Sequence, residues 1–161
     1  MKYLKHTLFA LGFLWVGIVN LLFYLFWFAR HKRKGTFEKV EWDWNCWAWK
    51  CDINNNSEFY NKYMRRWWGF VIGSFIVFVN KSDDLSHMKH EEAHILQNYI
   101  FGPLFYPMFY LMSLCIYIFG SKNIHSYYHN PFELWARYSA NQPISKPKEI
   151  WDEGPTKRWY W

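Results

Sequence analysis

The chain has 161 residues, about the length of one domain; 24% of its residues are aromatic and 20% are charged. This composition is too apolar for a disordered chain and too charged for a bundle of membrane helices, so we expect a globular domain attached to a membrane. The formal net charge of +6 favours an anionic partner, either a lipid surface or a nucleic acid.

Cysteine usage predicts no disulfide framework. The three cysteines, Cys46, Cys51 and Cys115, are odd in number and form no C-x-x-C motif, which also disfavours a Cys-ligated zinc. A single Cys46–Cys51 bridge stays open, but reduced cysteines on the cytosolic side are the simpler interpretation.

Residues 8–29 form an uncharged apolar run that predicts an N-terminal transmembrane helix. As an α-helix, this run would extend over about 33 Å, enough to cross the hydrocarbon core of a bilayer. The expected organisation is a transmembrane anchor with its basic flank over residues 1–34, followed by one domain over residues 35–161.

A basic cluster follows the apolar run directly. Its members are Arg30, Lys32, Arg33 and Lys34. By the positive-inside bias, this cluster places the following domain in the cytoplasm, and it should bind anionic lipid headgroups, although it would also serve simply to stop the helix. A nucleic acid is the less favoured partner, because the charge is concentrated beside the apolar run and no nucleic-acid-binding motif is recognisable.

Residues 35–57 have the composition of strands and turns and are rich in tryptophan. Trp42 and Trp44 alternate with their neighbours, as do Trp47 and Trp49, but the phase changes between the two pairs. This pattern predicts a half-buried strand that carries a β-bulge. Packing in a core or hairpin is a more common role for such residues than a ligand platform or a membrane-interface belt.

Two further elements are predicted before the next motif. Residues 58–66 favour a helix, and residues 67–80 favour a buried strand because they are β-branched, aromatic and too few to cross a bilayer as a helix. The following helix begins after a cap at Asp83 or Asp84 and ends at Gly102.

Residues 90–94 read HEEAH, a match to the H-E-x-x-H pattern of zinc metallopeptidases. On a helix, residues four apart lie on one face, so His90 and His94 can both direct a ring nitrogen at one metal ion. Glu91 can reach a water on that ion and take its proton, whereas Glu92 points away from the histidine face. The five residues alone would equally fit a solvated, charged helix face.

A zinc site needs a third protein ligand, and the candidates downstream are His125, His129 and Glu133. Glu133 lies in the stretch HNPFELWAR, where Asn130 can cap a helix that begins at Pro131. Glu133 then occupies the third helical position, so a capping-box contact with Asn130 is its structural alternative.

Four motifs of this chain together resemble those of minimal gluzincin-like domains, the H-E-x-x-H zinc metallopeptidase domains found in bacteria and phages. In chain order, the motifs are GSFIVFV (73–79), HEEAHILQ (90–97), GPLFYP (102–107) and NPFELWA (130–136). The resemblance covers roughly residues 67–140 and implies a small α+β zincin-like domain, in which a short β-sheet packs on the H-E-x-x-H helix. It also implies that His90, His94 and Glu133 bind Zn²⁺ and that Glu91 is the general base.

The zinc hypothesis constrains a second apolar run, residues 103–119. If this run crossed the membrane, Glu133 would lie on the opposite side from His90 and His94, and the three could not share an ion. We therefore predict a core helix, or a re-entrant or interfacial segment broken at Pro107.

The sequence as a whole predicts a membrane-anchored, single-pass zinc metallopeptidase that acts on a peptide or protein substrate. His125 or Tyr128 could stabilise the oxyanion of the reaction, and a structural role is the alternative for each. The rival function is a non-catalytic membrane protein that keeps a zincin-like scaffold for interaction or structure.

Overall fold

The structure is a computed structural model, and it describes residues 2–54, 56–64, 69–78, 85–120 and 124–143. The helices in these ranges are α1 (Lys2–Phe23), α2 (Ala29–Arg33), α3 (Leu85–Phe101), α4 (Phe105–Phe119) and α5 (Pro131–Ser139). Shorter helical turns are of the π type at Tyr24–Phe28 and Tyr60–Met64 and of the 3₁₀ type at Gly102–Leu104. The strands are β1 (Phe37–Asp43), β2 (Ala48–Ile53), β3 (Gly69–Ile72) and β4 (Phe75–Phe78). The predicted α+β class is confirmed, whereas the caps predicted at Asp83 or Asp84 lie outside the described residues.

The four strands form one mixed sheet in the order β1-β2-β4-β3. β1 and β2 are antiparallel, β2 and β4 are parallel, and β4 and β3 are antiparallel. β4 is buried at all four positions because helices cover both sides of the sheet. Phe75 and Val77 pack in a cluster with Phe23 of α1. On the other side of the sheet, Ile76 and Phe78 pack in a cluster with Ile95 of α3.

The tryptophan-rich segment is a hairpin, so the prediction of a single bulged strand is wrong. Residues 44–47 form the turn between β1 and β2, and Trp47 has a left-handed backbone conformation with φ 53°. The change of phase in the tryptophan pattern therefore marks a reversal of the chain. The irregularity in the strand pairing lies elsewhere, between Phe37 and Lys39.

The strand predicted over residues 67–80 is two strands in its described part. β3 and β4 are joined by a tight turn at Gly73 and Ser74, and Gly73 has φ 61°, a conformation that favours glycine. Both strands are short and apolar, so neither shows the alternation that would reveal a turn between them. The helix predicted over residues 58–66 is present in its described part, mostly as a π-type turn.

The N-terminal helix, which we define as α1, the π-type turn at Tyr24–Phe28 and α2, packs on the domain along one stripe. Within residues 10–33, Gly12, Val16, Phe23 and Phe28 are buried, whereas most other apolar side chains are exposed. Phe23 and Phe28 are five residues apart yet reach the same cluster, because a π-type turn has a longer repeat than an α-helical one. The N-terminal helix and the domain thus share one core.

Two residues fix the N-terminal helix against the rest of the domain. Nδ2 of Asn20 donates to Oγ of Ser74 at 2.7 Å, and Oδ1 of Asn20 accepts the Ser74 backbone N–H at 2.8 Å. The amide in the apolar run therefore holds the turn between β3 and β4. At Gly12, the helix approaches the backbone carbonyl of Tyr99 in α3 so closely that a side chain would collide with it.

Replacement of Gly12 with Ala should therefore lower the free energy of unfolding by about 1–3 kcal/mol, because the added Cβ forces the helix away from α3. The matched control is Gly17→Ala on the same helix, where a Cβ would meet nothing within 4 Å. That control should be neutral or stabilising by up to about 1 kcal/mol, through helix propensity. Chemical denaturation of both variants checks the difference, and equal stability of the two would contradict the close packing.

α4 does not separate the predicted ligands. Asn130, just before α5, donates through Nδ2 to the carbonyl of Phe109 at 2.8 Å and to Oγ of Ser113 at 2.7 Å. The chain therefore returns alongside α4 before α5 begins. Pro107 lies in the first turn of α4, where proline is tolerated, so the helix is not broken there.

Candidate metal centre

α3 carries both histidines of the H-E-x-x-H motif on one buried face. Nε2 of His90 and Nε2 of His94 are 3.2 Å apart, and both residues are buried. At this distance either one imidazole donates its Nε2 proton to the other, or both nitrogens direct their lone pairs at one metal ion. The histidine pair is therefore compatible with a hydrogen bond or with a bound metal ion.

α5 brings a third donor, the carboxylate of Glu133, into the same space. Its two oxygens lie 3.4 Å and 3.2 Å from the Nε2 atoms of the first and second histidine. Asn130 caps α5 as predicted, because its Oδ1 accepts the backbone N–H of Phe132 at 2.9 Å. The N–H of Asn130 itself donates to the carbonyl of Tyr127 at 3.0 Å, so it does not pair with Glu133 in a capping box.

The donor atoms lie close to the spacing of a tetrahedral zinc site. Atoms bound at about 2.0–2.2 Å from a tetrahedral ion lie about 3.3–3.6 Å from one another. The two Nε2 atoms are 3.2 Å apart, and each lies 3.4 or 3.2 Å from a different oxygen of the Glu133 carboxylate. Oε2 of Glu133 is buried and has no hydrogen-bond partner among the described residues, although Nε of Arg137 lies 4.0 Å from it. Two imidazoles and a carboxylate, with a fourth position left open, are a ligand set typical of catalytic zinc, so the residues fit Zn²⁺.

The charges at this centre compensate one another. Burial by itself would lower the pKa of His94, but the hydrogen bond and charge of Glu133 outweigh it and raise this pKa to about 9. Burial by itself would raise the pKa of Glu133, yet the two histidines hold it well below its usual range. A proton and a metal ion compete for the same nitrogen atoms, so a metal ion that bound here would displace a proton.

Gln97 orients the second histidine. Nε2 of Gln97 donates to the carbonyl of Phe132 at 2.9 Å, which leaves Oε1 to accept the Nδ1 proton of His94 at 2.8 Å. With its proton on Nδ1, the imidazole presents the lone pair of Nε2 to the site. Gln97 is fully buried and connects α3 to α5. The sequence motif includes this residue, but the spacing alone does not reveal its two partners.

Replacement of Gln97 with Leu should weaken zinc binding by about 10–100-fold, because His94 then loses the group that fixes its tautomer and orientation. Competition against a chromophoric chelator measures the dissociation constant, with unfolding followed in parallel to separate affinity from folding. Leu96→Ala, an exposed residue on the same helix, is the control and should keep the affinity of the unmodified chain. An unchanged affinity in the Gln97 variant would rule out the orienting role.

Glu91 lies beside the three donors and against the sheet. A side chain at Gly69 of β3 would come within 3.4 Å of Oε1 of Glu91, so the glycine leaves room for this carboxylate at the start of the strand. Burial raises the pKa of Glu91 above its usual value, while the charges of His94 and His90 act to lower it. A carboxyl group whose pKa moves towards neutrality is a better general base near neutral pH.

The turn before α5 holds the other predicted residues. Nδ1 of His125 accepts the backbone N–H groups of Tyr127 and Tyr128, at 3.2 and 3.4 Å. Nδ1 of His129, another candidate third ligand, accepts the backbone N–H of His125 at 3.0 Å. The ring of Tyr128 lies 4.6 Å from the guanidinium of Arg137. These contacts give His125 and Tyr128 structural roles, and their part in oxyanion stabilisation stays a prediction.

Tyr127 is the residue of this turn that reaches the site. Burial of its hydroxyl group and the nearby charge of Glu133 raise the pKa of Tyr127 well above its usual value, although 42% of the residue as a whole is exposed. The hydroxyl therefore stays protonated beside this carboxylate. No sequence signal distinguishes Tyr127 from Tyr128, since only the geometry of the turn decides which ring points inwards.

A second cluster of ligand-type residues consists of Asp43, Cys46 and Glu92. Nζ of Lys50 lies 2.5 Å from the carboxylate of Asp43 and 3.8 Å from that of Glu92. The ammonium group of Lys50 therefore already provides a positive charge for these two carboxylates. Burial and Glu92 raise the pKa of Cys46 to about 12, which keeps its thiol protonated. All three cysteines of the chain are free, so no Cys46–Cys51 bridge forms. We therefore assign this cluster a structural role and not a role in metal binding.

Comparisons with protein-family models, with curated proteins and with solved structures each gave no match to this chain. The resemblance to minimal gluzincin-like domains therefore stays a prediction from four sequence motifs. Independently of that resemblance, the structure brings together the three side chains that the motifs imply as ligands.

Proposed function

We propose that this chain is a membrane-associated, zinc-dependent metallopeptidase. The observation that carries the proposal is the convergence of three buried side chains: Nε2 of His90 and Nε2 of His94 are 3.2 Å apart, and each lies 3.2–3.4 Å from one oxygen of the Glu133 carboxylate, close to the spacing in a tetrahedral site. Glu91 beside these donors adds the general base that amide hydrolysis by water needs.

His90, His94 and Glu133 would hold Zn²⁺, which when bound acidifies a water molecule and polarises the scissile carbonyl. Glu91 takes the proton from the attacking water and then passes it to the leaving amine. Gln97 keeps the imidazole of His94 in the orientation that ligation needs. Metal binding, proton transfer and the orientation of His94 are therefore separate roles, and each can be measured separately.

The position of β3 supports a peptide as the substrate. β3 is a terminal strand of the sheet and pairs with β4 alone among the described strands. Its first residue, Gly69, lies against Glu91. An extended peptide can add to such an edge through main-chain hydrogen bonds, and this would carry its backbone past the general base.

Membrane association is the second part of the proposal. Two helical stretches, Ala10–Arg33 and His87–Phe119, are long and apolar enough to cross a membrane, judged by length and composition alone. The four basic residues that the sequence predicts to bind headgroups are exposed at the end of the first stretch. Such a cluster favours the anionic cytoplasmic leaflet, so we place the site in the cytoplasm.

Removal and return of the metal test the proposed activity. Hydrolysis of a peptide library prepared from a digested proteome, read by mass spectrometry as new peptide termini, should stop when the purified chain is treated with 1,10-phenanthroline. It should return when Zn²⁺ is added after the chelator has been removed. Hydrolysis that persists without metal would contradict the proposed mechanism.

The alternative is a non-catalytic membrane protein in which the same site serves structure. Gln97 joins α3 to α5, and Asn130 joins the start of α5 to α4, so a metal ion here would also hold these helices together. This alternative predicts a zinc-loaded chain that produces no new peptide termini in the same assay.

A further inference from the structure

The β1–β2 hairpin runs alongside the N-terminal helix. The ring of Phe37, at the start of β1, lies 5.1 Å from that of Phe28. At the other end of the hairpin, the ring of Trp47 lies 6.1 Å from that of Phe13. The helix between Phe13 and Phe28 extends over about 22 Å, so the hairpin follows it for most of the thickness of a hydrocarbon core.

This arrangement is incompatible with an N-terminal helix that crosses the bilayer. β1 is a terminal strand, and its outer edge has no partner among the described strands. Lys39 and Glu41 of β1 form an ion pair whose side chains are 61% and 52% exposed. If the helix spanned the hydrocarbon core, the edge of β1 and these charges would lie in lipid, where open sheet edges do not occur.

The side of the helix that faces away from the domain is nevertheless apolar and continuous. Its exposed large side chains include Leu11, Leu14, Ile18, Leu21, Leu22, Leu25 and Phe26. No charged residue interrupts the sequence between residues 8 and 29. A contiguous apolar face of this length marks an interaction surface.

Tryptophans flank the helix on the sheet face that it covers. Trp49 lies beside Phe75, a residue of the cluster under the helix, and its ring is 5.0 Å from that of its cross-strand neighbour Trp42. Trp44 and Trp47 continue this row of rings, with spacings of 5.7 and 6.2 Å. Trp44 is 73% exposed. Indole rings are enriched at the boundary between lipid and water, so this row suits a membrane interface.

The basic cluster lies at the C-terminal end of the same helix. Arg30, Lys32, Arg33 and Lys34 are all exposed. His31, which lies among them, contacts Trp27 of the same helix and Phe59 of the domain. This end of the helix is therefore still packed on the domain. An apolar face with cations at one end complements a leaflet that carries anionic headgroups.

We propose that the protein binds one leaflet of an anionic bilayer with the N-terminal helix in the membrane plane and does not cross the membrane. The apolar face enters the acyl region, the tryptophan row lies at the interface, and the basic cluster contacts headgroup phosphates and carboxylates. The edge of β1 and its ion pair stay in water. This mode of binding depends neither on zinc nor on hydrolysis.

The sidedness of two positions tests the proposal. Single cysteines are introduced in the full chain as Lys2→Cys and Lys39→Cys, and sealed inside-out vesicles from expressing cells are treated with a membrane-impermeant maleimide. Mass spectrometry then counts adducts beyond those of the unmodified chain. Both new cysteines should react without detergent. Reaction at position 39 alone, with position 2 reacting only after detergent, would show a crossing helix and overturn the proposal.

Binding to vesicles of defined composition tests the surface itself. The purified chain should float with phosphatidylcholine vesicles that contain 30% phosphatidylserine, and Ile18→Asp with Leu22→Asp should lower this binding at least tenfold. Tyr138→Asp, an equally abrupt change at an exposed residue of α5, should leave it unchanged. Replacement of the four basic residues with Gln should remove the preference for phosphatidylserine. A chain that ignores vesicles and forms a dimer through this face would overturn the proposal.

Discussion

The Glu91→Gln variant should lose peptide hydrolysis while it keeps the zinc content of the unmodified chain. The amide has the size of the carboxylate but cannot accept a proton from water, and loss of a general base typically lowers kcat by about 10²–10⁴-fold. Glu91 is also not one of the three converging donors, so the metal should remain. Elemental analysis and the peptide-library assay on one preparation measure both properties.

Glu92→Gln is the matched control for this experiment. Glu92 is the next residue on the same helix, and its carboxylate faces Lys50 at 3.8 Å, away from the histidine pair. The control should keep both zinc and hydrolysis. Equal activity in the two variants would show that Glu91 is not the base, and loss of zinc in the Glu91 variant would place its carboxylate among the ligands.

The Glu133→Ala variant should lose bound zinc and, with it, the thermal stabilisation that zinc confers. A ligand present at 1,000 times its dissociation constant stabilises the folded state by about 4 kcal/mol. For a chain of this size, that corresponds to a rise in Tm of roughly 8–16 °C. The variant removes a carboxylate held 3.2 and 3.4 Å from the two histidines, so thermal denaturation with and without added Zn²⁺ should give the same Tm.

Cys46→Ser is the control for the Glu133 variant, because Cys46 belongs to the second cluster of ligand-type residues. The control should keep the zinc-dependent rise in Tm. If zinc stabilised the Glu133 variant and failed to stabilise the Cys46 variant, the metal would have to lie at the β1–β2 turn, and the assignment of the candidate metal centre would be wrong.

The candidate metal donors could be named from the sequence because the placement of each on its own helix follows from local rules. His90 and His94 are one helical turn apart, so any helix through them brings their side chains together. Asn130 and Pro131 define the first turn of α5, and this fixes the direction in which the Glu133 side chain projects from the helix. The contact between α3 and α5 was implied by the order of motifs and could not be derived from spacing.

The two hairpins could not be predicted in the same way. The turn at residues 44–47 interrupts an alternating pattern, but a bulge would interrupt it similarly, and the left-handed backbone of Trp47 has no sequence signature. Gly73 is a turn residue, yet it lies between two apolar strands of four residues that are too short to show a period. Tertiary packing decides both reversals.

The packing of the N-terminal helix also could not be predicted from the sequence. A helix that is apolar on all sides has no amphipathic pattern to show which face is buried. Gly12, Gly17 and Asn20 are its exceptions, and two of them, Gly12 and Asn20, contact Tyr99 and the turn at Ser74. An apolar run of this length satisfies a test for crossing a membrane whether or not one side is already occupied by the domain. The position of β1 alongside the helix provides the evidence against a crossing helix, which length and composition cannot provide.

Anomalous diffraction at the zinc edge, from crystals of the purified chain grown with Zn²⁺, tests directly whether the three donors bind one zinc ion. We expect one strong peak about 2.0–2.2 Å from Nε2 of His90, from Nε2 of His94 and from a carboxylate oxygen of Glu133. A zinc peak elsewhere, with the three side chains paired among themselves and no ion between them, would contradict it.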